Sequence, residues 1–249
     1  LLEKRPEYKC FHLDGQAVVL EDYLLVRPEN RERLLNLMRE GRIIAGPWYV
    51  LPDEWLVSGE SYVRNIMKGR AVCEELGVPA MNFAYTPDQF GHIAALPMIM
   101  TGLGLPAGIC WRGTQDETYP AHFVWIGPDG SRMPTHKLRD DGSYAPFLFK
   151  VRNKLEGGVP SEGLFKEHVE PYLEAERERS DVPLILMLDA IDHFPADENS
   201  IGLLAELEKR YPDIEFVWAS LEEFGNAMVE HMADMPERSG ELREPCRTT

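Results

Sequence analysis

Apolar and polar positions alternate along these 249 residues in the order strand, helix, strand, helix, the rhythm of a parallel sheet with helical crossovers. Residues 8–13 read as a strand ending in Asp14, Gly15 and Gln16, and residues 18–26 as the helix that follows. Pro28 opens another helix in which Leu34, Leu35 and Met38 share a face and Gly41 is the stop. Residues 42–46 form a second strand, whose end carries Pro47, Trp48, Tyr49, Pro52, Asp53, Glu54 and Trp55. In residues 58–76, Val63, Ile66, Met67 and Cys73 recur at helical spacing before Gly77.

The apolar run 83–85 predicts a third, buried strand, giving way at once to Pro87, Asp88 and Gly91 and then to a helical pattern over 94–100. Residues 105–110 read as a fourth strand, running into Trp111, Arg112 and Gly113. From Ala121 the pattern changes: HFVWIG, the turn PDG and SRMPTHKL predict an antiparallel hairpin, and the polar loop 139–146 could cover a cleft. Residues 163–179 form a charge-rich helix, 183–188 (PLILML) a buried strand ending in Asp189, Asp192 and His193, and 214–218 a further strand. Between and after them come a helix with Ile201, Leu204, Leu207 and Tyr211 on one face and a last helix over 221–229. Past Met232 the tail has little to bury and reads as a linker.

A barrel accounts for this order better than an open doubly wound sheet, because the glycine-rich phosphate turn of a nucleotide binder is absent after every strand. Composition narrows the partners. Forty-two acids against 26 basic residues give a formal charge of −16, which opposes a phosphate backbone or an anionic lipid surface. Nucleic acid and membrane partners are not expected, and no apolar run approaches the roughly 18 residues of a membrane span. Cys10, Cys73, Cys110 and Cys246 are widely spaced, as in a cytoplasmic protein with reduced thiols. The start has no initiator Met and no signal-peptide core, which points to a piece of a longer chain. Association with further copies of itself is left open.

Several strand ends carry acids: Asp14, Asp53 with Glu54, Asp88, and Asp189 with Asp192 and His193. A carboxylate where strand gives way to helix in a parallel α/β fold sits where active sites are built, although a turn or N-cap aspartate is the structural alternative for Asp88. Aromatic side chains, among them Trp48, Tyr49, Trp55, Phe90 and Trp111, interleave with the acids. Rings that pack on the C–H faces of a pyranose, beside acids that take its hydroxyls, suggest a sugar site. Two carboxylates on different strands could serve glycoside hydrolysis; a metal-dependent hydrolase of another kind stays open on spacing alone.

The segments PDEWLVSGESYVR (52–64), YTPDQFGH (85–92), WRG (111–113), LDAIDHFP (188–195) and PDIEFVWASLEEF (212–224) resemble the catalytic domain of glycoside hydrolase family 38, the zinc-dependent retaining α-mannosidases. The likeness covers nearly the whole chain. It implies an irregular seven-stranded β/α barrel over residues 1–232, with the first strand missing, and a linker over 233–249 toward a helical domain. It implies that Asp88 is both the nucleophile and a zinc ligand, that Asp192 is the acid/base, and that Phe90 and Arg112 contact the sugar or the nucleophile. Trp48 and Tyr144 complete the expected substrate contacts, the Trp48 ring being alternatively a core residue.

The family's His-x-Asp zinc motif precedes the point where this chain begins, and a further His ligand follows the barrel. One zinc ligand of the family's set is therefore expected here, with weak zinc binding and little activity of this polypeptide alone. His12 and Asp14 imitate the missing motif, but FHLDGQ matches the family's second strand instead. His92 is expected to order its loop or cap the helix, with direct metal ligation as the alternative, Asp53 and Glu54 to order theirs, and His193 either to tune Asp192 or to be structural. The substrate implied is an α-mannosylated glycan or small mannoside. A carbohydrate deacetylase and a non-catalytic truncated homologue are the competing readings.

Overall fold

A computed structural model describes residues 1–154 and 161–245, apart from the Glu162 side chain. It is an α/β fold with a mixed sheet. Strands β1 (Phe11–His12) and β2 (Ile43–Ile44) pair in parallel. The larger sheet has the order β3-β4-β6-β5-β7, from β3 (Ala84–Thr86), β4 (Gly108–Cys110), β5 (His122–Ile126), β6 (Arg132–Lys137) and β7 (Glu237–Ser239). β3, β4 and β6 run parallel, and β5 returns antiparallel to β6 as the expected hairpin.

The helices are α1 (Val18–Val26), α2 (Arg31–Arg39), α3 (Gly59–Leu76), α4 (Leu96–Gly102), α5 (Pro146–Lys150), α6 (Glu162–Leu164), α7 (Glu170–Glu178), α8 (Asn199–Arg210) and α9 (Leu221–Glu230). A π turn, Phe165–Val169, joins α6 to α7 in the predicted charge-rich helix. α3 starts at Ser58, whose hydroxyl accepts from Ser61 N at 3.2 Å, and stops at Gly77 in the left-handed conformation. Its buried stripe is Tyr62, Ile66, Gly69 and Cys73, whereas Met67 is exposed. Gly69 belongs to that stripe because a Cβ there would meet the Pro47 carbonyl at 2.3 Å. α9 opens with a capping box between Ser220 and Glu223, and His12 Nε2 accepts from its Leu221 N at 3.2 Å. That imidazole is committed to a helix N-terminus, not to a metal.

Two expected strands do not form ladders. Residues 183–188 and 214–218 carry no regular secondary structure. Leu184, Leu186 and Leu188 face the core under β3 and β4, while Ile185, Met187, Ile214 and Phe216 face the core built on α7 and α8. Apolar alternation sets their direction, but a ladder needs a neighbouring backbone, and both segments line the open side of a large cleft. The tail corrects the linker expectation for its described part. β7 pairs with β5, and Leu242 is buried, its backbone bonding His92 in both directions. Residues 246–249, with Cys246, lie outside the described residues; Cys10, Cys73 and Cys110 are free thiols. No described helix is long and apolar enough to cross a membrane.

The hairpin buries two histidines. His136 Nδ1 lies 3.1 Å from His122 Nε2, and His122 Nδ1 lies 3.0 Å from Ser180 Oγ. Burial lowers His122 to about 3 and His12 to about 4, and holds His136 well below the usual histidine range. The unfolded chain binds protons near pH 6.5 that the folded state refuses, so this stability is fully present above pH 6.5 and is lost as pH falls toward the folded values. Urea midpoints should drop between pH 6.5 and 5, as the unfolding free energy falls by up to about 1.4 kcal/mol per pH unit for each histidine. A midpoint flat over that range would refute the assignment.

Candidate active site

Asp88 stands just beyond β3, on a loop that two side chains hold from below. Glu54, fully buried, faces His92 Nδ1 at 2.6 Å and accepts from Ile93 N at 2.9 Å. A carboxylate at that distance places the ring proton on Nδ1. The pair bolts the PDEW loop to the PDQFGH loop, the ordering role expected of both residues. From the other side, the Leu242 carbonyl accepts from His92 N at 2.9 Å. It lies 2.9 Å from where a Cβ of Gly91 would be and 2.3 Å from that of Gly113, both with positive φ, so the tail backbone fits only against glycine there.

The Asp88 carboxylate is 43% exposed and accepts from Arg112 Nε at 2.7 Å on Oδ1. The Arg112 guanidinium is stacked at 4.4 Å from the Phe90 ring and 4.3 Å from the Trp111 ring. Arg112 stands behind Asp88, off the cleft wall, and Phe90 is half exposed at the lip. Asp192, which lines the same cleft, follows the 183–188 segment and precedes His193, itself in the left-handed region at φ 64°. Tyr144, from the loop expected to cover the cleft, donates its hydroxyl to Asp192 Oδ2 at 2.9 Å. Its ring meets Trp111 edge-on at 5.9 Å. Burial, then the Asp192 hydrogen bond and the charges of Asp88, Asp192 and Asp14, push the Tyr144 pKa up, so the phenol stays a donor.

Asp88, Phe90, Tyr144 and Asp192 therefore line one cleft of about 1740 Å³, with Arg112 positioning Asp88. Trp48 does not join them. Its ring is wholly buried against Tyr62, with Nε1 donating to the Tyr85 carbonyl at 2.7 Å. The absence of a Cβ at Gly69 makes the room for its backbone, so its expected sugar contact is corrected to a core role. Asp53 accepts from Trp55 N in its own turn at 2.9 Å. Asp189 is held by Arg152 at 3.0 Å and by Ser200 Oγ at 3.0 Å, and works as structure.

One carboxylate of the cleft had no assigned role in the sequence. Asp14 accepts from Tyr85 Oη at 3.0 Å and from Gln16 Nε2 at 3.1 Å. Burial raises its pKa against those two hydrogen bonds, and the charges of Asp192 and Asp88 raise it further. Its position at a strand end was the available signal.

Zinc was expected on Asp88. Among the described residues no three His, Cys, Asp or Glu side chains are grouped so as to hold a metal ion, and Asp88 Oδ1 is turned to a guanidinium. A zinc centre needs three or four protein donors. The residues present do not fit a complete one, and the chemistry they offer is that of carboxylates.

Residues 1–182 match the family model described as glycosyl hydrolases family 38 N-terminal domain. The chain is 28% identical over 251 residues to a putative mannosylglycerate hydrolase of Halalkalibacterium halodurans, covering 96% of this chain and 27% of that protein. It is 31% identical to human alpha-mannosidase 2C1 over 66% of this chain and 16% of that one. Among solved structures, an alpha-mannosidase from Enterococcus faecalis V583 superposes with TM-score 0.85 at 28% identity, over 97% of this chain and 27% of its own. A family 38 glycosyl hydrolase protein from Enterococcus faecalis gives 0.70 at 27% identity, over 96% of this chain and 25% of that one. The chain thus spans about a quarter of the length of the Halalkalibacterium halodurans and Enterococcus faecalis proteins.

Proposed function

Because the chain belongs to glycosyl hydrolase family 38, we propose that it supplies the catalytic carboxylates of an α-mannosidase acting in the cytoplasm, and that its two sheets are arcs of an irregular β/α barrel. The observation that carries the reading is the facing of Asp88 and Asp192 into one cleft. Asp88, with Oδ1 held by Arg112, keeps Oδ2 for the anomeric carbon. Asp192, steadied by the Tyr144 hydroxyl, first gives a proton to the departing oxygen. It then takes one from the water that releases the sugar, so the anomeric configuration is retained. Phe90 offers a ring face to the sugar. The chain's share of its relatives' length makes this an activity of the complete gene product.

The test is release of the aglycone from an aryl α-mannoside by that product, with proton NMR of the first sugar formed; α-mannose supports the reading, and β-mannose or no turnover refutes it. The field of the cleft adds a prediction about the aglycone. Among the described residues that line it, carboxylates far outnumber the cations, Arg152 and Arg177, and Arg152 is already paired with Asp189 and Asp197. Mannosides with a neutral aglycone should be cleaved about 10-fold faster in kcat/KM than those with a carboxylated one, and the gap should narrow as salt rises. Equal rates at low salt would remove the electrostatic argument.

A further inference from the structure

We propose that Asp14 is a substrate-binding residue of this cleft, accepting a hydroxyl hydrogen of the sugar held between Asp88 and Asp192; the proposal rests on the glycosidase reading above. Asp14 lies at the end of β1 with φ 48°, a conformation uncommon outside glycine. The next residue, Gly15, lies so close to the Tyr85 ring that a Cβ there would meet it at 2.4 Å. Tyr85 is buried, and its hydroxyl ends on Asp14 Oδ1. Gln16 bonds Asp14 Oδ2 with its amide nitrogen and accepts from Leu51 N at 3.0 Å with its amide oxygen. Tyr85 from β3 and Gln16 from the turn after β1, itself held by Leu51 N, thus aim one carboxylate.

Among the described residues each Asp14 oxygen takes a single hydrogen bond, and a carboxylate oxygen accommodates two. The carboxylate lines the cleft beside Asp88 and Asp192 and is close enough to feel the charge of both. Its hydrogen bonds from Tyr85 and Gln16 leave lone pairs open toward the cleft, and a ligand rich in hydroxyl donors satisfies them. A neutral sugar is such a ligand. The residue has no part in the two proton transfers, and its contribution is to binding and orientation.

The experiment uses the complete gene product, the variants Asp14→Asn, Asp14→Ala and Tyr85→Phe, and aryl α-mannoside with its 2-, 3-, 4- and 6-deoxy analogues. Asp14→Asn should lower kcat/KM on the parent mannoside roughly 10- to 100-fold, the size of a lost hydrogen bond to a charged group. One deoxy position should lose that factor with wild type and little more with Asp14→Ala, while the other positions remain additive. Tyr85→Phe, which leaves the carboxylate but not its fixed aim, should fall between. Additivity at every position, or Asp14→Asn within about twofold of wild type, would overturn the assignment while wild-type turnover upheld the mannosidase. A wild type that cleaves none of the substrates would overturn both.

Discussion

Asp88→Asn in the complete gene product is expected to lower kcat on an aryl α-mannoside by at least about 10⁴-fold, the scale seen when a covalent nucleophile is removed. Its melting temperature should stay within about 2 °C of wild type, because the carboxylate is half exposed and asparagine still offers Arg112 an acceptor of the same shape. A second variant separates nucleophile from bystander. Asp88→Gly supplied with azide should form the mannosyl azide of inverted, β configuration, since azide enters where the carboxylate stood. Asp192→Asn should instead penalise poor leaving groups far more than 2,4-dinitrophenolate, which departs without a proton. Asparagine at 88 retaining more than about 1% of the activity, or a missing azide product, would take the nucleophile role away from this residue.

Glu54→Ala should be the most damaging change outside Asp88 and Asp192. It strips two hydrogen-bond acceptors from a site where the Glu54 and His92 side chains are fully buried. Both His92 Nδ1 and Ile93 N would be left unpaired in the interior. The expected cost is about 3 kcal/mol, or a fall of roughly 6–12 °C in melting temperature for a chain of this size. Glu54→Gln, which keeps one acceptor oxygen, should recover part of that. Activity should fall further than stability alone explains, because the Asp88 loop loses one of its two anchors. Melting curves of Glu54→Ala, His92→Ala and the double variant form a cycle whose coupling should exceed about 1 kcal/mol. Strict additivity would mean that the two side chains do not act as a unit.

What could be read from the sequence was whatever local chemistry dictates. Ser58 and Gly77 bound α3, Ser220 with Glu223 opens α9, and the PDG turn announces the β5–β6 hairpin. Asp88 and Asp192 stood out as acids at strand ends and both line the cleft, yet Asp53 and Asp189, acids at strand ends as well, are held in structural hydrogen bonds. What failed was what depends on distant partners. PLILML shows the alternation of an extended segment, but nothing in six residues says whether another backbone lies alongside. Trp48 sits among prolines and acids like an exposed platform, and only the missing Cβ of Gly69 in α3 reveals where it goes. Asp14 acquires its place from a tyrosine 71 residues later. Polar residues after Met232 hid the single leucine that matters, Leu242.

The Leu242 peptide, wedged where only hydrogens of Gly91 and Gly113 leave room, has an evolutionary corollary. Both glycines should prove invariant among close homologues although neither meets the sugar, so a hunt for catalytic positions by invariance would rank them beside Asp88. A methyl at either would displace the strap that steadies the Asp88 loop, and the resulting loss of turnover would pass for a chemical defect when its origin is steric.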